Sequence, residues 1–377
     1  MASQLFDSFL VHLGCVDDPR TRESPHRIEE ILFLAVCATI AGADGPSDIE
    51  NFGIQQEAWL RNHIELANGV PSHDTIGRVF SMVKPMPFQE GFLSWISTFR
   101  FSEKSDGDLE LVAIDGKTER GSKTSTKNAL HAVSAWASHQ GLTLGQVAVD
   151  VKSNEITAIP ELLKMLELRG TVVTIDAMGT QKNIASAIVS DGGEYCLAVK
   201  ENQPKLHAAI EGFFDQAMEE NFETEGCRVH ATYDRSRGRD EHRQYVIAPL
   251  PDVMSEFKKD WHNLTSIGRS LTTTTHSNGQ ETQEVRYFIL SVEPKVRSFA
   301  SYVRGHWGIE SMHWILDVVF LSDKSRIHLG HSTENFGFLR RFVISLLKQD
   351  TSKGSLRGKR KKAGWNTTFL EQILENA

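Results

Sequence analysis

Cysteine is scarce and scattered: Cys15, Cys37, Cys196 and Cys227 are the whole complement, and no two stand in a C-x-x-C pair. That excludes a zinc ribbon and a disulfide framework, and it fits a reducing compartment. Long apolar runs are also missing. The longest, Ile31 to Ala43 ("ILFLAVCATIAGA"), is too short to span a bilayer. No basic n-region followed by an apolar stretch and a cleavage site opens the sequence, so no secretory signal is expected. There is no G-x-G-x-x-G turn, which argues against a dinucleotide-binding fold. Internal repeats and long low-complexity segments are absent. An excess of positive charge is lacking too: the formal net charge is −8. That speaks against bulk polyanion binding but not against local basic patches.

What is present is an ordinary globular composition, 40% hydrophobic and 24% charged, in a chain of 377 residues. Such a length calls for more than one core. One basic patch stands out near the end, "LRGKRKKAGW", with Arg357, Lys359, Arg360, Lys361 and Lys362 in close succession. It reads either as a solvated tail or as a polyanion contact.

The pattern along the chain divides it into five stretches. Residues 1–105 read as helical, with Ser47 as the N-cap of a capping box completed by Glu50, and Ser72 or Asp74 capping a later helix. A helix-turn-helix unit or a plain bundle would both give this pattern. Residues 106–213 read as strand, strand, strand, helix, strand, helix, strand, with "AIPELLKMLELRG" as a helix closed by Gly170. That order predicts an antiparallel meander joined to parallel βαβ units, an α/β core. Residues 214–293 read as a β-rich insertion. Residues 294–350 return to helices, and residues 351–377 form the basic tail.

Two strands carry the chemistry. "LVAID" and "VVTID" are apolar and are expected to end at Asp115 and Asp176, where ligands gather in α/β sheets. "VRGHWGIESMHWILDVVF" predicts a helix whose broad face holds Val303, His306, Trp307, Glu310, His313, Trp314 and Asp317. A face with two tryptophans is expected to be at least half buried, and a carboxylate there needs compensation. Three converging carboxylates repel unless a cation neutralises them, and their oxygens suit magnesium or manganese. Two such ions serve an in-line phosphoryl displacement. The alternatives are a strand-end turn for each Asp and a pairing of Glu310 with Arg304 or His306. A zinc site from His306, Glu310 and His313 is a rival, but the spacing is not H-E-x-x-H.

"AIDGKTERGS", "VVTIDAMGTQKNIA", "LAVKENQPKLH" and "RGHWGIESMHWILDVVF" together resemble the DDE transposases of bacterial insertion sequences, in the branch of the H-repeat-associated proteins. "DDPRTRESPHRIEEILFLAVCATIAGAD" and "NGVPSHDTIGRVF" resemble that branch's N-terminal domain, so the likeness runs from about Phe9 to about Asp350. The resemblance implies a ribonuclease-H-like core interrupted by a β-rich region. It implies cleavage of element ends and joining of the freed 3′ hydroxyl to target DNA, with two magnesium or manganese ions on Asp115, Asp176 and Glu310. It further implies DNA as partner, a homodimer on DNA, no membrane, and a cytoplasmic, nucleoid-associated location. Lys117, Arg120, Lys200, Arg239, Arg243, Arg304, His306, Trp307 and Arg326 are the expected DNA contacts.

The sequence departs from the family pattern at several positions. Asp317 stands where relatives have Lys, Ser311 where the branch has Asn, Ser322 with Asp323 where it has Glu-Asp, and Arg237 where it has His. The Ser311 and Ser322 changes motivate a second reading, a DNA-binding remnant that keeps the helical N-terminal region and basic tail but lacks catalysis. A third reading is a metal-dependent nuclease of the same fold with no joining step.

Overall fold

The computed structural model describes residues 4–21, 24–97, 109–126, 128–149, 155–223, 226–236 and 238–376. The expected change from helices to strands near residue 105 lies outside the described residues, as do Arg237 and the end of "LTLGQVAVDV".

Six helices come first: α1 (Gln4–Leu13), α2 (Ile28–Ile40), α3 (Pro46–Gln55), α4 (Glu57–Leu60), α5 (His73–Met82) and α6 (Pro85–Ile96). Ser72 caps α5 by accepting from the Thr75 N–H. Ser47 does not cap α3. The helix begins two residues earlier than that cap implies, at Pro46 with Gly45 as N-cap, because proline is pre-set for a first turn and needs no N–H partner.

The remaining elements are β1 (Glu110–Glu119), β2 (Leu130–Ala137), β3 (Leu142–Val149), α7 (Glu155–Leu163), β4 (Thr171–Ile175), α8 (Lys182–Ser190), β5 (Glu194–Val199), α9 (Pro204–Glu219), β6 (Arg228–Ser236), β7 (Arg239–Pro249), β8 (Ser266–His276), β9 (Glu281–Leu290), α10 (Val296–Val318), α11 (Ser332–Gln349), α12 (Leu356–Trp365) and α13 (Thr367–Asn376). Helix α7 stops at Leu163, well before Gly170. That glycine, at φ +74°, instead turns the chain into β4. Residues 214–219 belong to α9 rather than to the β-rich region.

The nine strands of the described residues form one mixed sheet in the order β3-β2-β1-β4-β5-β9-β8-β7-β6. β1, β4 and β5 run parallel, and every other neighbouring pair is antiparallel. The β-rich stretch is therefore a continuation of the central sheet, joined through β5 and β9.

Side chains alternate across the sheet and give it two covered faces. Val112, Ile114, Val173, Ile175 and Leu197 share a core with Leu162 of α7, Ile188 of α8 and Phe214 of α9. Leu111, Val172, Cys196, Phe288 and Leu290 point the other way and pack with Phe299 and Tyr302 of α10. A third core joins α1 to α6 with Ile309, Met312 and Leu316 of α10, Leu339 and Phe342 of α11, and Leu370 and Ile373 of α13.

One expectation fails on this framework and another holds in part. Residues 351–376 do not form a solvated tail, because α12 and α13 are docked helices whose Lys359, Arg360, Ala363, Phe369 and Leu370 are buried. The tryptophan face of α10 is more than half buried at Val303, His306, His313 and Asp317, but its indoles are more open. Trp307 is 40% and Trp314 58% exposed, because α10 buries the opposite side, through Ile309, Met312 and Leu316.

Candidate active site

Asp115 lies in the middle of β1, not at its end. β1 outruns its parallel neighbour β4 and continues to Glu119 against β2 alone. The register pairs Ala113 with Thr174 and Ile114 with Ile175. Asp115 and Asp176 thus follow matched residues on adjacent parallel strands, which run about 4.8 Å apart. Both occupy the alternation of Leu111 and Val172, on the side of the sheet that α10 covers.

The same alternation continues across the next strands. Thr174 pairs with Cys196 and Ala198 with Phe288, so Lys200 and Arg286 follow in register on neighbouring strands. Asp176, Lys200, Arg286, His306 and Glu310 line one cavity of about 220 Å³. A second hollow adjoins it at Asp176 and Lys200 and is walled by Gln181, Asn202 and His207. A polar groove extends toward the β-rich end, between Arg239, Arg286, Arg304 and Trp307.

The imidazoles on α10 each have a partner of their own. His306 Nδ1 is 2.9 Å from Thr174 Oγ1. His313 Nδ1 stands 3.5 Å from Asp115 Oδ2. Among the described residues no three carboxylate, imidazole or thiol groups converge on a common point as they stand, and His306, Glu310 and His313 do not form the rival zinc site. Burial lowers both histidines, and the nearby aspartates only partly oppose it, so each ring is neutral near pH 7. Burial raises Asp115, but the His313 ring and the Gly116 N–H more than offset this, leaving the carboxyl below its ordinary value. The Gly116 N–H donates to Asp115 Oδ1 at 2.8 Å.

Glu310 differs from its neighbours. It forms no hydrogen bond or ion pair among the described residues, and it is not paired with Arg304 or His306. Partial burial and the Asp115 charge raise its carboxyl, with Arg286 opposing. The residue is exposed as a whole, so these effects come from the cleft wall rather than from a sealed core. A carboxylate raised by burial and by a second carboxylate, with no cation bonded directly to it, has the character of a cation ligand. The oxygen donors therefore suit a hard divalent ion in chemistry, and strand register brings Asp115 and Asp176 together, while Glu310 does not converge on them as the residues stand.

The expected DNA contacts divide into two groups. Arg120, Lys200, Arg239, Arg304, Trp307 and Arg326 are exposed. Lys117 is not available: it is buried, 2.6 Å from Asp317 and 3.6 Å from Asp323. Arg243 is likewise buried, held by Asp234 at 2.5 Å and by Glu241. His306 is committed to Thr174. Arg304 lies 3.8 Å from Asp234.

Sequence reading missed Arg286, which lies over the Trp307 ring at 5.1 Å to its centroid. The available signal was its place in β9, two residues from Glu284 on the same face, to which its Nε donates at 2.8 Å. The departure at Asp317 also gains an explanation, since its carboxylate accepts from Lys117 and from the Ser322 hydroxyl.

Residues 106–347 match the family described as the transposase DDE domain, and residues 10–96 match the family described as associated with it. A protein of Escherichia coli O157:H7 that carries the provisional name of transposase YncI is 39% identical over 374 residues, covering 97% of this chain and 94% of its own length. The H-repeat-associated protein YhhI of Escherichia coli K12, provisionally named a transposase, is 38% identical, covering 96% of each. YbfD of the same strain, named in the same way, is 40% identical over 65% of this chain and 96% of its own length.

Proposed function

This chain belongs to the transposase DDE domain family, and from that premise we propose that it cleaves DNA at the ends of an insertion sequence and joins the freed 3′ hydroxyl to target DNA. The observation that carries the reading is the β1–β4 register, which sets Asp115 beside Asp176 under the helix that bears the unpaired Glu310. The sheet order, with three antiparallel strands leading into parallel β4 and β5, supports a ribonuclease-H-like core with an inserted β-rich region.

Asp115, Asp176 and Glu310 would hold two divalent ions, magnesium or manganese, whose charge activates an attacking oxygen and stabilises a leaving one. The rest follows from the chain's own side chains. His313 stands beside Asp115 as a neutral ring and orients its carboxylate. Thr174 fixes the His306 ring, which feels the charges of both aspartates. Lys200 and Arg286, on adjacent strands, present positive charge to a phosphate at the cavity mouth. Arg120, Arg239, Arg304 and Arg326 extend that charge outward, and the exposed Trp307 offers a stacking face.

The test is cleavage and strand joining on duplexes that carry the element's own ends, with magnesium or manganese. Asp115→Ala, Asp176→Ala and Glu310→Ala should each abolish nicking, by about a thousandfold or more, and spare DNA binding. Nicking retained in all three variants sinks the proposal. The remnant reading gains from one observation, the Lys117–Asp317 pair, which removes a positive group from the site. Wild-type protein that binds terminal DNA but never nicks it would favour that reading. Nicking with no joined product would favour a nuclease alone.

A further inference from the structure

The basic run near residue 360 divides into two sets of side chains. Lys359 and Arg360 point inward. Lys359 Nζ donates to the Leu347 and Asp350 carbonyls and lies 3.0 Å from the Asp350 carboxylate. Arg360 donates to Thr39 O at 3.2 Å, Ala43 O at 3.1 Å and Val319 O at 2.6 Å, and stacks 4.0 Å from the centre of the Phe320 ring. These bonds fix α12 on the ends of α2 and α10.

Lys353, Arg357, Lys361 and Lys362 point outward and are exposed. None has an acidic partner among the described residues. Arg357, Lys361 and Trp365 follow at i, i+4 and i+8 and make one stripe. Trp365 is 80% exposed. Lys362 lies beside the stripe, its ammonium 3.7 Å from the centre of the Phe369 ring. In a chain of net charge −8, an acid-free basic ridge held rigid by two buried cations is a surface built for a polyanion.

Its position specifies which polyanion. Val319, which Arg360 grips, lies nine residues beyond Glu310 on the same helical path. At about 1.5 Å per residue the two are about 13 Å apart along the axis, well within the roughly 34 Å of one duplex turn.

We propose that α12 is a phosphate clamp for duplex DNA, gripping the backbone of the same duplex that passes the candidate active site. The proposal rests on the transposase reading. Its test is the full-length triple variant Arg357→Gln, Lys361→Gln, Lys362→Gln, titrated with a short duplex over a series of salt concentrations. The slope of log affinity against log salt should become shallower by about 2 to 3, at about 0.9 for each phosphate no longer neutralised. The unfolding midpoint should move little, because the docking bonds of Lys359 and Arg360 are untouched and only the Lys362–Phe369 contact is lost. Wild-type binding with an unchanged slope in the variant overturns the clamp alone. Absence of salt-dependent binding by the wild type overturns the clamp together with the transposase reading. An altered oligomeric state with an unchanged slope assigns the ridge to an acidic protein surface, and that too overturns it.

Discussion

Glu334 shows how far a single side chain can depart from its ordinary behaviour. It lies in the first turn of α11, on the wall of a cavity of about 490 Å³ with His328 and His331, and burial raises its carboxyl to about 7. A raised acid binds its proton more tightly in the folded state. Its burial therefore costs nothing below the unfolded value near 4.5, and stability falls as pH rises toward 7. Glu334→Gln should raise the melting temperature at pH 8 and leave it unchanged at pH 4. The difference should be of order 2 kcal/mol after allowance for partial solvent access. Equal melting at both pH values would show that the carboxyl is not desolvated. At this scale the neighbouring placement of Asp115 and Asp176 was legible because each follows an apolar β-pattern. Glu310 drew attention because a carboxylate interrupts a tryptophan-rich helix, and its role rests on the cleavage test. The partners were not: Lys117 and Asp317 are 200 positions apart, and no local pattern records such a pairing.

Helix α10 lies close to the sheet because two of its residues are glycines. A Cβ on Gly305 would come within 2.1 Å of Leu111 Cδ2, and one on Gly308 within 3.1 Å of Ser138 Oγ. Ser138 Oγ donates to the Gly305 carbonyl at 2.8 Å and fixes the helix at that point. Gly305→Ala should lift this end of α10 from β1, cost about 1–3 kcal/mol, and reduce nicking by displacing Glu310. Denaturant unfolding with the cleavage assay checks it, and an unperturbed variant on both counts would show that Leu111 simply gives way. Most strands and helices of residues 106–213 were readable from periodicity, as was the β-rich character of the stretch that holds β6 to β9. The misreadings were local. The extension of β1 past Asp115 depends on pairing with β2 rather than on its own residues. The exposure of Trp307 and Trp314 depends on which side of α10 the third core needs, and that side carries Ile309, Met312 and Leu316.

Arg360 connects parts of the molecule that sequence reading kept apart: the end of α2, the end of α10 and helix α12. Breaking a buried, multiply bonded cation site leaves carbonyls and Asp44 without their donor. Arg360→Ala should cost about 3–5 kcal/mol and speed hydrogen exchange near Ala43 and Val319 at once. Faster exchange confined to α12 would show that the two helix ends are held together by other means. None of this long-range packing was legible, since a basic run looks alike whether its side chains meet water or the ends of two other helices. The third core has a genetic corollary. Residues of α1 to α6 complete their packing against α10, α11 and α13, from the opposite part of the chain. A nascent polypeptide released early, by a stop codon before Ser332, would leave the N-terminal helices with bare apolar sides. Decaying gene copies of that kind should yield products cleared by proteolysis, not stable fragments able to compete with the intact protein.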